Sequence, residues 1–174
     1  VANALHSKGS KAVLQIFDAG RKTTREILRG QQPHSASAVA PHRDPQNVPV
    51  ALTEPEIEQI IKDFGEATRR AIQAGFDGVE IHGANTYLIQ QFFSPHSNRR
   101  TDKWGGDVDQ RMAFPKAVIV AVKKAADQYA AKDFIIGYRF SPEELSKPGI
   151  TIADTLKLVD MLSDQPIDYL HSSM

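Results

Sequence analysis

Residues 53–82, TEPEIEQIIKDFGEATRRAIQAGFDGVEIH, run from a helix pattern directly into a strand pattern. Thr53 and Glu56 have the spacing of a capping box at a helix start. Apolar residues then recur at spacings of three and four, which predicts one buried helical face. The members of that face are Ile57, Ile60, Ile61, Phe64, Ala67 and Ala71. Gly75 is the expected end of the helix, and residues 76–82 form the strand that follows.

The alternation of strand and helix extends in both directions along the chain. Short apolar runs predict further strands at residues 11–17, 134–140 and 166–171. Further helices are expected at residues 85–93, at residues 107–129 and from Thr151 onward. The last two begin at Asp107 and Thr151, residue types that cap helices, and Pro115 should lie early in its helix or bend it.

Residues 21–50 interrupt this alternation. The segment is rich in turn formers and includes Pro33, Pro41, Pro45 and Pro49. A structureless loop of this length is uncommon in a compact domain and is often functional. It is therefore a candidate active-site excursion.

Parallel strands joined by helices occur in two architectures, a doubly wound sheet and a (β/α)₈ barrel. No phosphate-binding G-x-G-x-x-G motif follows the first strand, which ends in Asp18-Ala19-Gly20-Arg21. Strand side chains alternate in direction, so Gln15, His82 and Arg139 each point to one face of their strand near its C-terminal end. Barrel enzymes place their chemistry at that end, and the pattern favours the barrel.

Composition excludes several classes of function. The 174 residues include 21 Lys+Arg, 21 Asp+Glu and no Cys. The balanced charge gives no support for nucleic acid or an acidic membrane surface as a partner. Without Cys there is no disulfide framework, Cys-ligated metal or thiol nucleophile in these residues, and we expect no metal site. No apolar run approaches the roughly 20 residues of a membrane span, and the start does not resemble a secretory signal, so we expect a cytoplasmic location.

Three segments make the sequence recognisable: residues 15–21 (QIFDAGR), 75–88 (GFDGVEIHGANTYL) and 94–106 (SPHSNRRTDKWGG). In order and spacing they resemble the old yellow enzyme family of FMN-dependent oxidoreductases, over essentially the whole chain. The family fold is a single (β/α)₈ TIM barrel of roughly twice this length. The resemblance implies an α/β fold in which residues 1–174 are a partial barrel of about four parallel β/α units, strands three to six, with the N-terminal and C-terminal strands absent.

The resemblance assigns two residues to the cofactor. Gln15 matches the family Gln that hydrogen-bonds the flavin ring, a role that suits an amide because it both donates and accepts. Arg139 matches the Arg beside the flavin, whose positive charge stabilises the reduced ring. The residues alone leave alternatives open: Gln15 as a buried amide bonded to the neighbouring strand, and Arg139 in an interior ion pair with Glu80, which we otherwise expect to be structural.

The resemblance assigns three residues to the substrate. His82 and Asn85 match the His-x-x-Asn pair that donates hydrogen bonds to a substrate carbonyl oxygen, in the manner of an oxyanion hole, and that also holds the nicotinamide carboxamide. Tyr87 matches the Tyr that gives a proton to the α-carbon. The alternatives are a satisfied polar His at a strand end, an Asn that caps a helix and a Tyr packed in the core.

The implied enzyme moves hydride from NADH or NADPH through flavin N5 to the β-carbon of an α,β-unsaturated carbonyl substrate. One site serves both substrates in turn, which predicts ping-pong kinetics. The expected ligands are FMN, a nicotinamide cofactor and a small enone-type substrate. A homo-oligomer is a further expectation for the protein. Two alternatives stay open. The dienoyl-CoA reductase and amine dehydrogenase branch adds an iron–sulfur cluster and a second nucleotide-binding region, and a barrel fragment without the FMN phosphate site would be inactive.

The remaining motif residues are expected to be structural. Residues 98–106 carry the family loop Asn-x-Arg-x-Asp-x-x-Gly-Gly, which ion pairs and tight turns should hold in place. Asp18 departs from the family, since many members have His there, and this leaves the substrate preference open. His171 has no role in the family and is expected to pack.

Overall fold

The computed structural model describes residues 1–131 and 133–173. The strands are β1 (Val13–Ile16), β2 (His34–Ser35), β3 (Val50–Ala51), β4 (Gly78–Gly83), β5 (Ile135–Phe140) and β6 (Tyr169–Ser172). The helices are α1 (Ala2–His6), α2 (Glu54–Gln73), α3 (Leu88–Phe93), α4 (Val108–Arg111), α5 (Ala113–Tyr129) and α6 (Ile152–Ser163), with a 3₁₀ turn at Gly20–Lys22. No helix within the described residues is long and apolar enough to span a bilayer.

A four-stranded parallel sheet with the order β1-β4-β5-β6 forms the centre of the fold. The predicted parallel α/β architecture is therefore confirmed. Helices α2, α5 and α6 lie in the connections, because a parallel neighbour can be reached only by a crossover. Strands β1 and β6 are at the ends of this order and each has one neighbour in it.

Helix α2 forms as its sequence predicts. The Glu56 carboxylate accepts hydrogen bonds from the backbone N–H and the hydroxyl of Thr53, both at 2.7 Å. Ile57, Phe64 and Ala71 are fully buried on its inner face, while Ile60, Ile61 and Ala67 are partly buried. Gly75 ends the helical turn with φ of +82°, a conformation that glycine adopts without a steric cost.

Two predicted helices begin or continue differently from the expectation. The helix expected over residues 107–129 is divided at Met112 into α4 and α5, and Pro115 lies in the first turn of α5, where its missing N–H is tolerated. The helix expected from residue 85 begins only at Leu88. Asn85 and Thr86 adopt positive φ angles of 55° and 60°, which are not helical, so the helix cannot start before them.

The excursion between β1 and α2 is not structureless, contrary to the prediction. Strand β2 pairs in parallel with β3, so the segment folds back on itself as a small sheet. The guanidinium of Arg100 donates to the carbonyl oxygens of Ala36 and Leu52, at 3.0 and 2.6 Å. Contacts with a distant loop satisfy these backbone groups, and sequence periodicity does not report such contacts.

The loop that carries Arg100 is structural, as predicted. Asp102 binds the Arg100 guanidinium through both carboxylate oxygens. The Asn98 amide donates to the carbonyl oxygens of Phe92 and Trp104, at 2.6 and 2.7 Å. The Arg100 hydrogen bond pins the Asp102 carboxylate and holds its pKa below the ordinary value.

The two faces of the sheet differ in chemistry. Val79, Ile81, Ile136 and Tyr138 belong to the apolar core shared with the helices. The alternate positions carry the polar residues Gln15, Glu80, His82 and Arg139, which face away from the helices. Burial raises the pKa of Tyr138 well above its ordinary value, which keeps the phenol neutral in the core. The helix-free face therefore collects the candidate site.

Candidate functional site

Strand register sorts the polar face into two adjacent rows. The first row pairs Gln15, Glu80, Gly137 and Tyr169 across the four strands. The second row pairs His82, Arg139 and His171. Residues two apart on a strand share a face, so both rows belong to the same side of the sheet. The structure thus brings Gln15, His82 and Arg139 onto one surface from three neighbouring strands.

Glu80 is the polar centre of the first row. Its side chain is buried, and its carboxylate accepts hydrogen bonds from Gln15 Nε2 at 2.5 Å, Tyr169 Oη at 3.0 Å and His171 Nδ1 at 2.9 Å. Burial by itself would raise the pKa of Glu80, but the hydrogen bonds from His171, Gln15 and Tyr169 outweigh it and leave the pKa below its ordinary value. The carboxylate is therefore an ionised, acceptor-only group.

These contacts decide two of the open alternatives. Gln15 does bond the neighbouring strand through its amide nitrogen, but the residue is exposed rather than buried as that alternative expected. Glu80 uses its oxygens for Gln15, Tyr169 and His171 rather than for Arg139, so the interior Glu80–Arg139 ion pair is not what forms among the described residues. The prediction that His171 only packs is wrong as well, because its ring is paired with Glu80.

His82 is buried at the C-terminal end of β4 and has a defined tautomer. The backbone N–H of Ala84 donates to His82 Nδ1 at 3.2 Å. Burial lowers the pKa of His82 and the Arg139 cation lowers it further, which favours the neutral ring. A neutral ring that accepts at Nδ1 carries its proton on Nε2. His82 therefore presents a neutral N–H donor.

Three aromatic rings meet beside this donor. The Tyr87 ring lies 4.8 Å from Phe17 and 4.9 Å from His82, the latter at an interplanar angle of 87°. Phe17 is 54% exposed in spite of its size, so it offers an apolar surface next to Tyr87. Tyr87 is thus placed against the rim rather than inside the core. The sequence contained a signal for Phe17, because it lies two residues beyond Gln15 and shares its face.

Asn85 lies at the same rim, on an exposed left-handed turn. Its backbone N–H donates to Ser141 Oγ at 3.0 Å. Its side-chain amide and the Ser173 hydroxyl are within hydrogen-bonding distance through both amide atoms, at 3.2 Å each. The left-handed φ removes Asn85 from the helix, so it is not the cap of α3; Tyr87 has that position.

Arg139 shares Ser173 with Asn85. Arg139 Nη2 donates to Ser173 Oγ at 2.8 Å, so one buried hydroxyl joins a residue predicted to bind flavin with one predicted to bind substrate. Arg139 Nε is buried and has no hydrogen-bond partner among residues 1–131 and 133–173. A buried cationic N–H without an acceptor is costly and uncommon. No pattern in the sequence pointed to Ser173.

The unpaired Arg139 Nε is a test of whether this surface fits a flavin. A flavin ring carries acceptor nitrogen and carbonyl oxygen atoms on one edge, and such an acceptor would satisfy the Arg139 N–H. The Gln15 amide, bonded to Glu80 through nitrogen, keeps its oxygen for a second partner. Both residues fit the group that the resemblance implies. Within the described residues, no three or more His, Asp and Glu side chains are grouped as a metal site requires.

Asp18 ties the excursion to the rim. Its carboxylate contacts His34 Nε2 at 3.0 Å and accepts the Gly20 backbone N–H at 2.7 Å, while its carbonyl accepts the Leu88 N–H at 3.0 Å. The hydrogen bond with Asp18 raises the pKa of His34. The residue that departs from the family pattern therefore anchors β2 next to Phe17.

Comparison with protein families gives one match over the whole chain. The model of the NADH:flavin oxidoreductase / NADH oxidase family matches residues 1–174. A NADH:acrylate oxidoreductase of Vibrio harveyi is 58% identical over 174 residues, which are 100% of this chain and 17% of that protein. A NADH:fumarate oxidoreductase of Klebsiella pneumoniae is 53% identical, again over 100% of this chain and 19% of that protein.

The fold also matches solved structures. Morphinone reductase, which has also been solved in complex with tetrahydroNAD, superposes with a TM-score of 0.84 at 31% identity. The match covers 98% of this chain and 49% of that one. Structures of this kind are old yellow enzyme TIM barrels, so the parallel sheet described above corresponds to about half of such a barrel. The chain spans less than a fifth of the length of either curated relative.

Proposed function

Because this chain belongs to the NADH:flavin oxidoreductase / NADH oxidase family, we propose that it is part of an FMN-dependent enzyme that reduces activated alkenes with NADH. The resemblance to old yellow enzyme is thereby confirmed at the level of the family. The names of the two relatives support the substrate class, since acrylate and fumarate both carry a C=C bond conjugated to a carboxyl group. The substrate is accordingly a small α,β-unsaturated carbonyl compound.

The proposal includes the place of this chain in a larger domain. Residues 1–174 supply barrel strands three to six, and sequence before and after them supplies the rest. Two observations support this assignment. The chain covers 49% of morphinone reductase, and the outer strands β1 and β6 each have one neighbour in the four-stranded order. A barrel of this class needs both strands to be paired on both sides.

The observation that carries the proposed chemistry is the hydrogen bond from the Ala84 N–H to His82 Nδ1. It leaves His82 Nε2–H as a donor, and with the Asn85 amide it can bind a substrate carbonyl oxygen. Both donors are neutral, so they form no ion pair with the substrate oxygen. They stabilise the negative charge that develops on that oxygen during the reaction. In the oxyanion holes of other enzymes, removal of one donor costs about 10²–10³ in kcat.

Tyr87 is the proton donor of the proposal. Its ring is held by Phe17 and His82, at centroid distances of 4.8 and 4.9 Å. These ring contacts support a role for its hydroxyl group beside the carbonyl donors. A positioned phenol can deliver a proton to the α-carbon once charge has developed there.

FMN, when bound, would carry the hydride from the nicotinamide to the alkene. Gln15 and Arg139 are the residues of this chain that would hold it. Arg139 offers the buried Nε–H that lacks a partner among the described residues, and its charge favours the reduced, electron-rich ring. Gln15 offers its amide oxygen.

The decisive experiment uses the full-length protein that contains this chain. We expect flavin absorbance in the purified protein, NADH oxidation that depends on acrylate, crotonate or fumarate, and ping-pong kinetics. His82→Ala should lower kcat/KM for the alkene by about 10²–10³. His6→Ala is the matched control, since His6 contacts Asp77 ahead of β4 and far from the rim. A full-length protein without flavin, or one that leaves every such alkene unreduced, would refute the proposal.

A second candidate function is that of the dienoyl-CoA reductase and amine dehydrogenase branch. It is favoured because this chain covers only a small part of its two relatives. At 17% and 19% of their length, those relatives carry further regions, as does the dienoyl-CoA reductase branch with its iron–sulfur cluster. Iron analysis of the full-length protein separates the candidates. Stoichiometric iron and a Cys cluster beyond residue 174 would favour that branch. The remaining alternative, an inactive fragment, predicts that residues 1–174 alone do not retain FMN.

A further inference from the structure

Side-chain hydrogen bonds of Glu80, on β4, join it to both β1 and β6 on the polar face of the sheet. Its carboxylate receives the Gln15 amide from β1, and Tyr169 Oη and His171 Nδ1 from β6. Glu80 is 7% exposed. A buried carboxylate with three donors is held in one position, since loss of any donor would leave part of its charge unsatisfied.

This carboxylate decides which way the Gln15 amide faces. An ionised carboxylate only accepts hydrogen bonds, whereas an amide has a donor end and an acceptor end of nearly the same shape. The 2.5 Å contact is therefore made by Gln15 Nε2. Rotation of the amide by half a turn would bring two oxygen atoms together at a part-buried contact with the buried, ionised Glu80 carboxylate, which is unfavourable. The Gln15 oxygen is thus directed away from Glu80.

We propose that Glu80 is a positioning residue that fixes the Gln15 amide with its oxygen presented to the flavin as a hydrogen-bond acceptor. The inference rests on the proposed function, because it needs a flavin on this face. The pyrimidine part of the flavin ring has one N–H between two carbonyl groups. An amide whose oxygen points outward can accept from that N–H, and an amide in the opposite orientation would oppose donor to donor.

Gly137 and Tyr169 support this role by geometry. Gly137 separates Glu80 from Tyr169 in the register row, and the Tyr169 ring occupies the space where a Gly137 side chain would lie. Tyr169 Oη reaches Glu80 through this gap. Tyr169 and His171 thereby hold Glu80 Oε2 from the β6 side, and the other oxygen, Oε1, is kept toward Gln15.

The test measures FMN affinity in the full-length protein that contains this chain. In Glu80→Gln, the new amide at position 80 can either accept from the Gln15 nitrogen or donate to the Gln15 oxygen. The Gln15 amide is then no longer restricted to one orientation. We expect Glu80→Gln to weaken FMN binding, followed by quenching of FMN fluorescence, by about tenfold. In a Gln15→Leu background the same change should alter the affinity by less than about twofold, because no amide remains to be positioned.

Asp168→Asn is the matched control. It makes the same carboxylate-to-amide change just ahead of β6, and its Oδ2 accepts the Ile136 N–H near the N-terminal end of β5. It should leave FMN affinity unchanged. Equal weakening by Glu80→Gln in both backgrounds, or no weakening in either, would overturn the inference while leaving the proposed function intact. A wild-type protein that binds no FMN would overturn both.

A second measurement does not require Glu80→Gln to fold. In ¹⁵N-labelled wild-type protein, the Gln15 side-chain NH₂ resonances can be assigned by their loss in Gln15→Leu. We expect one of the two protons to be shifted strongly downfield by the carboxylate, with and without FMN. Loss of that downfield shift when FMN binds would show that the amide turns, and would overturn the inference.

Discussion

The Tyr169 ring lies over the backbone of Gly137, so close that a Cβ on Gly137 would be 2.2 Å from the ring. Gly137→Ala should therefore displace Tyr169, break its hydrogen bond to Glu80 and destabilise the protein by about 1–3 kcal/mol, measured by urea unfolding. In a Tyr169→Ala background the ring is gone, and the cost of Gly137→Ala should fall below about 1 kcal/mol. If Gly137→Ala destabilised the protein equally in both backgrounds, contact with the Tyr169 ring would not be the reason that position 137 requires glycine.

Tyr87 offers a prediction that separates the two halves of the reaction. Tyr87→Phe keeps the ring contacts with Phe17 and His82 but removes the hydroxyl group that we propose as the proton donor. Alkene reduction should slow by about 10²–10⁴, while reduction of the flavin by NADH, followed by stopped-flow absorbance, should change by less than about twofold. Tyr129→Phe, on the exposed end of α5, is the control. Equal slowing of both half-reactions would argue against a proton-transfer role.

The Asp18–His34 pair predicts a dependence of stability on pH. Because Asp18 raises the pKa of His34, the folded protein binds a proton more tightly than the unfolded chain. The pair therefore stabilises the fold below the unfolded His pKa of about 6.5, and this stabilisation is lost as pH rises through the folded pKa. Thermal unfolding should show a larger deficit for Asp18→Asn at pH 6 than at pH 9. A deficit that does not change with pH would contradict the assignment.

Arg100 and Arg99 are neighbours in the sequence, but we expect them to contribute differently to the free energy of unfolding. Arg100 binds Asp102 and two carbonyl oxygens of the excursion, whereas Arg99 is exposed. Arg100→Ala should lower the free energy of unfolding by about 1–3 kcal/mol, because it leaves the carbonyl groups of Ala36 and Leu52 without their donor. Arg99→Ala should stay within about 0.5 kcal/mol of the wild type. Comparable losses for both variants would place the stabilisation elsewhere.

Local sequence was sufficient for much of the fold. Capping residues and periodic apolar positions located α2, α6 and the start of α4, because these signals act within a few residues of one another. Alternation within the strands placed Gln15, His82 and Arg139 on a shared face. The division of the helix at Met112 was missed. The pairing of β2 with β3 was missed as well, because pairing between two separate segments leaves no periodic signal within either one.

The sequence by itself determined the family, the parallel alternation of strands and helices, and the residue types available at the rim. Only the tertiary structure decided how those side chains are paired: Gln15 and His171 on Glu80, Asn85 and Arg139 on Ser173, and Asp18 on His34. The reason is that a hydrogen bond between side chains 16 to 91 residues apart depends on strand register and burial, and neither is encoded in the spacing of the residues along the chain.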